Sequence, residues 1–130
     1  MEMMKMRFFK CKHCGAIVSL ATPSKQPSKC CGDAMVELIP NTMDGAVEKH
    51  IPVIIVKGNY VTVRIGATDH PMQDNHYIEW IFIRTKQGDQ RKCLKPGAQP
   101  EVHFLLTEDD AVTAAYSYCN LHGLWVKRLE

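Results

Sequence analysis

Long hydrophobic runs are missing from this chain. Nowhere do about eighteen apolar residues follow one another, the least that a membrane-crossing helix needs, so no transmembrane helix is expected. The first residues, MEMMKMRFFKCKHC, alternate methionine with charged side chains and never supply the roughly seven to fifteen apolar residues of an export signal. A cytoplasmic protein is therefore expected, and in a reducing compartment clustered thiols read as metal ligands rather than disulfides. A charge excess is missing too. The 16 basic and 14 acidic residues leave a formal charge of +2, too balanced for a nucleic-acid binder that works through a global positive field. Any electrostatic steering must be local.

What is present changes character near Pro40. Residues 1–39 hold four of the six cysteines, a polar loop, ATPSKQPSK, and two short apolar runs, GAIVSL and AMVELI. That is too little apolar material for a core of its own, so something covalent or metallic has to hold the segment together. From Ile51 onward the period becomes two, in runs rich in Val, Ile, Tyr, Phe and Trp: IPVIIVK, YVTVRIG, HYIEWIFIRT, RKCLKPG, EVHFLLT, AVTAAYSYC and GLWVKRLE. Lys57-Gly58-Asn59 and Gln87-Gly88-Asp89 read as hairpin turns between neighbouring runs. About seven short strands at this spacing predict an antiparallel β-sandwich. MDGAVEKH, from Met43 to His50, reads as at most a helical turn that Gly45 and Pro52 end early.

Two clusters carry chemistry. In the first, two residues separate Cys11 from Cys14, which Gly15 follows, and adjacent Cys30 and Cys31 come after fifteen intervening residues. Cys-x-x-Cys-Gly is a metal knuckle in which the glycine lets the chain turn back beneath two converging sulfurs. The adjacent second pair is unusual, because its side chains must splay to reach one ion. Soft thiolates accept zinc or iron alike, so spacing alone leaves both a structural zinc and an electron-carrying iron open. His13, inside the knuckle, is expected to be exposed or to support a ligand rather than to be a fifth one.

In the second cluster His50 precedes a strand, His70 ends one, His76 begins the next, and Cys119 stands three residues before His122 in YCNLHGLW. A single loop histidine is ordinarily just solvated. Histidines that flank strands and accompany a Cys-x-x-His are better explained by convergence at one edge of a sandwich. His103, in mid-strand, is set aside, and Cys93 is expected to pack as a small apolar side chain. A blue-copper centre would use two His, a Cys and a weak axial Met, but no Met follows His122, Met72 is a poor substitute, and two histidines would be left over. Four imidazoles and one thiolate fit five-coordinate iron better, with the position opposite sulfur open. A zinc ribbon fused to a sandwich stands as a third reading, one that makes the histidines accidental.

The two cysteine pairs, then EKHIP, HPM with HYIEW, LKPG and YCNLHG, in that order, resemble the two-iron desulfoferrodoxins, which are superoxide reductases. The similarity runs over essentially the whole chain. It implies an all-β protein: a small desulforedoxin-like metal-bound domain (1–39) followed by an immunoglobulin-like antiparallel β-sandwich (40–130). The resemblance further implies one iron held by Cys11, Cys14, Cys30 and Cys31. A second iron is implied with His50, His70, His76 and His122 in its plane and Cys119 on its axis. The implied activity is that of an oxidoreductase in oxidative-stress detoxification, reducing superoxide by one electron to hydrogen peroxide. In the family's terms Glu48 can occupy the open position once the iron is oxidised and product has left, and Lys49 is the local charge that attracts superoxide. Family members are usually homodimers supplied with electrons by small redox proteins such as rubredoxin. No nucleic acid and no membrane are expected as partners.

Overall fold

Twelve short strands and a single helical turn make up the computed structural model, which describes residues 6–24, 28–42, 47–66 and 70–129. The chain divides into two compact units, Met1–Ile39 and Pro40–Glu130. No helix among the described residues is long and apolar enough to cross a membrane.

In the first unit β1 (Phe8–Lys10) lies between β2 (Ile17–Ser19) and β5 (Val36–Leu38), antiparallel to both. One buried cluster is Phe9, Cys11 and Met35, with Val18, Leu20 and Cys30 packed on it, and Phe8 is buried as well. Two of the six side chains in that cluster belong to the thiol group, so little apolar surface is left to hold the unit without its sulfurs. β3 (Lys29–Cys30) and β4 (Asp33–Ala34) form a hairpin in which Cys30 pairs with Asp33. Its two turn residues are Cys31 and Gly32, at φ 54° and 83°, the pair of positive φ values that a type I′ turn requires. Glycine adopts this freely, whereas Cys31 does so at a cost of roughly 1–2 kcal/mol. This turn solves the problem of the adjacent cysteines. In an extended strand neighbouring side chains point to opposite faces, but the turn at Cys31 leaves its Sγ 3.8 Å from that of Cys30.

The second unit begins with α1 (Val47–His50), one turn long. The first half of the helical turn expected over Met43 to His50 lies outside the described residues. Seven strands follow, one from each apolar run. β6 (Pro52–Lys57), β7 (Tyr60–Ile65) and β10 (Glu101–Leu105) form one antiparallel sheet in the order β10-β7-β6. β8 (Ile78–Thr85), β9 (Asp89–Cys93), β11 (Val112–Cys119) and β12 (Gly123–Arg128) form the other in the order β12-β11-β8-β9. The inward residues of both sheets make one core, from Val61, Val63 and Ile65 through Val102 and Phe104 to Ile78, Ile81, Ile83, Ala115 and Cys119. Phe104 is almost wholly enclosed, so Phe104→Ala should destabilise this unit by about 3–5 kcal/mol, read as a lower denaturant midpoint at unchanged slope.

The run RKCLKPG is strand only in its first half. β9 starts at Asp89 and stops at Cys93; Leu94 N–H makes one last bond along β8, to Glu79 O at 2.9 Å, and the chain then turns away, Gly97 N–H donating to Met72 O at 2.7 Å. Cys93 is also not packed as expected. It lies exposed on β9, an edge strand, where its side chain has no core to enter.

Candidate metal centres

The register between β8 and β11 slips beside the larger cluster. Tyr118 faces Trp80 while Cys119 faces Ile78, leaving Glu79 without a partner in β11. Such an irregularity re-aims the chain at the end of a strand, and here it coincides with the fully buried Cys119. The strand then reverses through Asn120, Leu121 and His122 to reach Gly123, which pairs with Cys119. Reversal within so few residues brings Cys119 Sγ to 3.8 Å from His122 Nδ1. His50 ends α1, and His70 and His76 bracket the loop that enters β8.

These five residues, His50, His70, His76, Cys119 and His122, each offer a ligand atom, and the atoms all lie within 4.8 Å of one another. His50 Nε2 is 3.0 Å from His122 Nδ1 and 3.1 Å from His70 Nε2. His122 thus presents its Nδ1 where His50 and His70 present Nε2. His70 Nδ1 is 2.6 Å from Pro71 O. A carbonyl only accepts, so the proton of His70 sits on Nδ1 and the Nε2 lone pair faces the cluster. Burial pushes the His70 imidazole down to about 4. It also lowers that of His76, with the nearby His122 and Lys49 acting in the same direction. His76 Nε2 is buried and has no hydrogen-bond partner among the described residues. A buried lone pair without a donor is costly, and a cation among the five groups would satisfy it. Burial raises the Cys119 thiol, opposed by hydrogen bonds from the backbone amides of Leu121 and His122.

This donor set fits a borderline transition metal. One sulfur and four neutral imidazoles suit iron, zinc, cobalt or copper and are wrong for the hard ions magnesium and calcium. The Met72 sulfur that a copper site would need accepts a hydrogen bond from Ile78 N at 3.4 Å and packs against the sandwich core.

Lys49 is exposed, and its charge is felt at His76. The side chain of Glu48 lies outside the described residues. His103 lies away from the cluster on β10, 3.0 Å from Thr62 Oγ1 and stacked on Tyr60. Trp125 was given no role by sequence reasoning although it stands in the same short stretch as Cys119. Its ring stacks on His50, with centroids 4.8 Å apart, and its Nε1 donates to His122 O at 3.0 Å. An indole with its N–H satisfied by a ligand's own carbonyl supports two of the imidazoles at once.

The first unit gathers its own donors. Cys11, Cys14, Cys30 and Cys31 bring their sulfurs within 4.8 Å of one another. Gly15, at φ 80°, turns the chain so that its N–H reaches Cys11 O at 2.9 Å, and Cys14 N–H points at Cys11 Sγ at 3.4 Å. That amide is the main reason the Cys11 thiol falls to about 6, while the neighbouring thiols, Cys11 first, push Cys30 up to about 12. One negative charge thus forms readily and opposes the others, a conflict that a cation relieves. An all-sulfur set suits iron or zinc. His13 is exposed, its Nε2 2.5 Å from Asp33 Oδ2, so it links the knuckle to the hairpin rather than joining the sulfurs.

The family model for desulfoferrodoxins matches residues 42–128. A desulfoferrodoxin of Nitratidesulfovibrio vulgaris is 43% identical over 117 residues, covering 90% of this chain and 91% of that protein. A desulfoferrodoxin homolog of Archaeoglobus fulgidus is 42% identical over 120 residues, covering 92% and 94%. The crystal structure of the superoxide reductase from Treponema pallidum superposes with a TM-score of 0.82 at 38% identity, covering 96% of this chain and all of that one. With a matching family model, relatives spanning nearly its full length, and both donor clusters assembled, this chain belongs to the desulfoferrodoxin family.

Proposed function

We propose that the protein is a superoxide reductase, an oxidoreductase that converts superoxide, one electron and two protons into hydrogen peroxide. The observation that carries this is the convergence of four imidazoles and one buried thiol, far apart in sequence, on one point at the end of the sandwich. Iron held by His50, His70, His76, His122 and Cys119 supplies the electron and a binding position for a small anion. The protein's own groups set the conditions. Burial keeps His70 neutral at pH 7, so its lone pair is available to a cation. The amides of Leu121 and His122 direct hydrogen bonds at the Cys119 sulfur and temper how much electron density it donates.

Lys49 is assigned the attraction of superoxide, because a focused positive charge raises the rate of encounter and its effect fades with salt. Lys49→Ala should slow the second-order reaction and flatten its dependence on ionic strength. Equal rates with equal salt slopes would remove Lys49 from the reaction. Glu48, two residues before His50, is assigned the carboxylate that would compete with small anions for the iron.

The finer organisation rests on the family likeness together with the thiol cluster. Residues 1–39 form a desulforedoxin-like domain holding a second iron through Cys11, Cys14, Cys30 and Cys31, and residues 40–130 form the immunoglobulin-like reductase domain. The protein works as a cytoplasmic homodimer fed by a small electron carrier of the rubredoxin kind. The activity is tested by product balance: iron-loaded, reduced protein should yield one peroxide per superoxide consumed and no dioxygen. Half as much peroxide, accompanied by dioxygen, would mean dismutation and overturn the assignment.

A further inference from the structure

Four candidate ligands have visible support for their positions. His50 is stacked on Trp125, His70 is tied through Nδ1 to Pro71 O, and Cys119 and His122 belong to one hairpin. His76 has no such support for its ring. Among the described residues its ring contacts are with the imidazoles of His70 and His122, edge to face, and its Nε2 has no hydrogen-bond partner. What holds it must act through its main chain.

Asn120 does so. Its Oδ1 accepts from Tyr77 N–H at 2.9 Å and its Nδ2 donates to Asn75 O at 3.1 Å. Its own N–H donates to Tyr77 O at 3.2 Å. The partners fix the orientation of the amide, since a backbone N–H only donates and a carbonyl only accepts. Asn75 and Tyr77 are the neighbours of His76 on either side. One side chain therefore pairs with the segment around His76 as a strand would. It projects from the residue directly after Cys119 and two before His122. Gln73 and His76 exchange backbone hydrogen bonds at 2.9 and 3.1 Å, closing the same segment from within.

We propose that Asn120 is a positioning residue: its amide clamps the 75–77 segment to the Cys119–His122 turn and so fixes His76 relative to the other donors. The inference rests on the five-donor centre proposed above and names the group that sets its shape. Groups that orient a metal ligand without touching the metal are typically worth about 10- to 100-fold in metal affinity, and a clamp joining two ligand-bearing segments belongs to that class.

The test uses the full-length metal-free chain and cobalt(II), with chelator competition followed by the cobalt absorption bands. The four-thiolate cluster, whose spectrum is distinct, serves as an internal standard. Asn120→Ala should weaken cobalt at the mixed nitrogen and sulfur site by about 10- to 100-fold, shift its ligand-field bands and leave the four-thiolate affinity unchanged. The Tyr77 amide should exchange its hydrogen faster in the metal-free variant. Should the alanine variant fail to fold, Asn120→Ser, whose short hydroxyl cannot span both partners, is read in the same way. A lower unfolding midpoint with unchanged cobalt affinity and bands would reduce Asn120 to a structural residue and overturn the proposal. Absence of any thiolate-to-cobalt absorption from the mixed site in the unaltered protein would instead remove the centre itself, and the inference with it.

Discussion

Replacing Cys119 by serine is expected to leave the sandwich folded and to lower the rate of superoxide reduction by at least about a hundredfold, more than loss of a group that only orients a ligand. Serine has nearly the same shape, so the fully enclosed site keeps its volume, and the cost of an added buried hydroxyl is of order 1–3 kcal/mol. What disappears is the one soft, polarizable donor among four imidazoles. A thiolate pushes electron density onto a metal and towards whatever lies opposite it, as in thiolate-ligated haem, and a neutral hydroxyl does not. The oxidised protein should accordingly lose the visible absorption that arises from sulfur-to-iron charge transfer, while absorption from the four-thiolate cluster persists. A serine variant that reduces superoxide at the original rate would show that the sulfur is not a working ligand.

The second large effect concerns the first unit. Removing the metal proposed there, by Cys14→Ser or by a strong chelator, should unfold β1, β2 and β5. Their core contains Phe9, Cys11 and Met35, with few apolar neighbours, whereas binding a metal ion to such a site contributes on the order of 10 kcal/mol or more to folding. Cys31 adds to the demand, because its left-handed backbone is tolerated only where something else holds the turn. Hydrogen exchange is the measurement: amides of β1, β2 and β5 should lose protection while those of β7, β8 and β11 keep it. Persistent protection in the first unit without metal would mean that its small core suffices. Pre-reduced Cys14→Ser protein should still consume superoxide in a first turnover, and slower turnover under continuous electron supply would assign the metal proposed at the four thiols to relay.

The sandwich was legible because its strands obey period two. YVTVRIG shows the rule: Val61, Val63 and Ile65 are buried, and the residues between them face outward. HYIEWIFIRT breaks it by being buried almost throughout, and was still readable from its β-branched and aromatic content. The first unit was less legible. β1 is the three residues Phe8–Lys10, too short for any period to show, and its pairing depends on a segment held by sulfur. The splayed pair Cys30 and Cys31 looked awkward because spacing says nothing of φ, and the answer lay in Gly32 completing a two-residue turn.

At the site the ligand types and their order were visible, whereas the supporting groups were not. Asn120 and Trp125 act through contacts with backbone far away in sequence or with a ring 75 residues upstream, and neither residue type is unusual where it stands. Cys93 failed for a related reason. Cysteine is ordinarily a buried residue, but the strand carrying it lies at a sheet edge, and position within a sheet is a property of topology rather than of local pattern.

The most direct measurement is anomalous diffraction at the iron absorption edge from crystals of the reduced, iron-loaded protein. A single iron peak is predicted among His50 Nε2, His70 Nε2, His76 Nε2, His122 Nδ1 and Cys119 Sγ, with no protein atom opposite the sulfur. No iron peak among these five atoms, a sulfur turned away from that peak, or a permanent protein ligand in the opposite position would contradict the account.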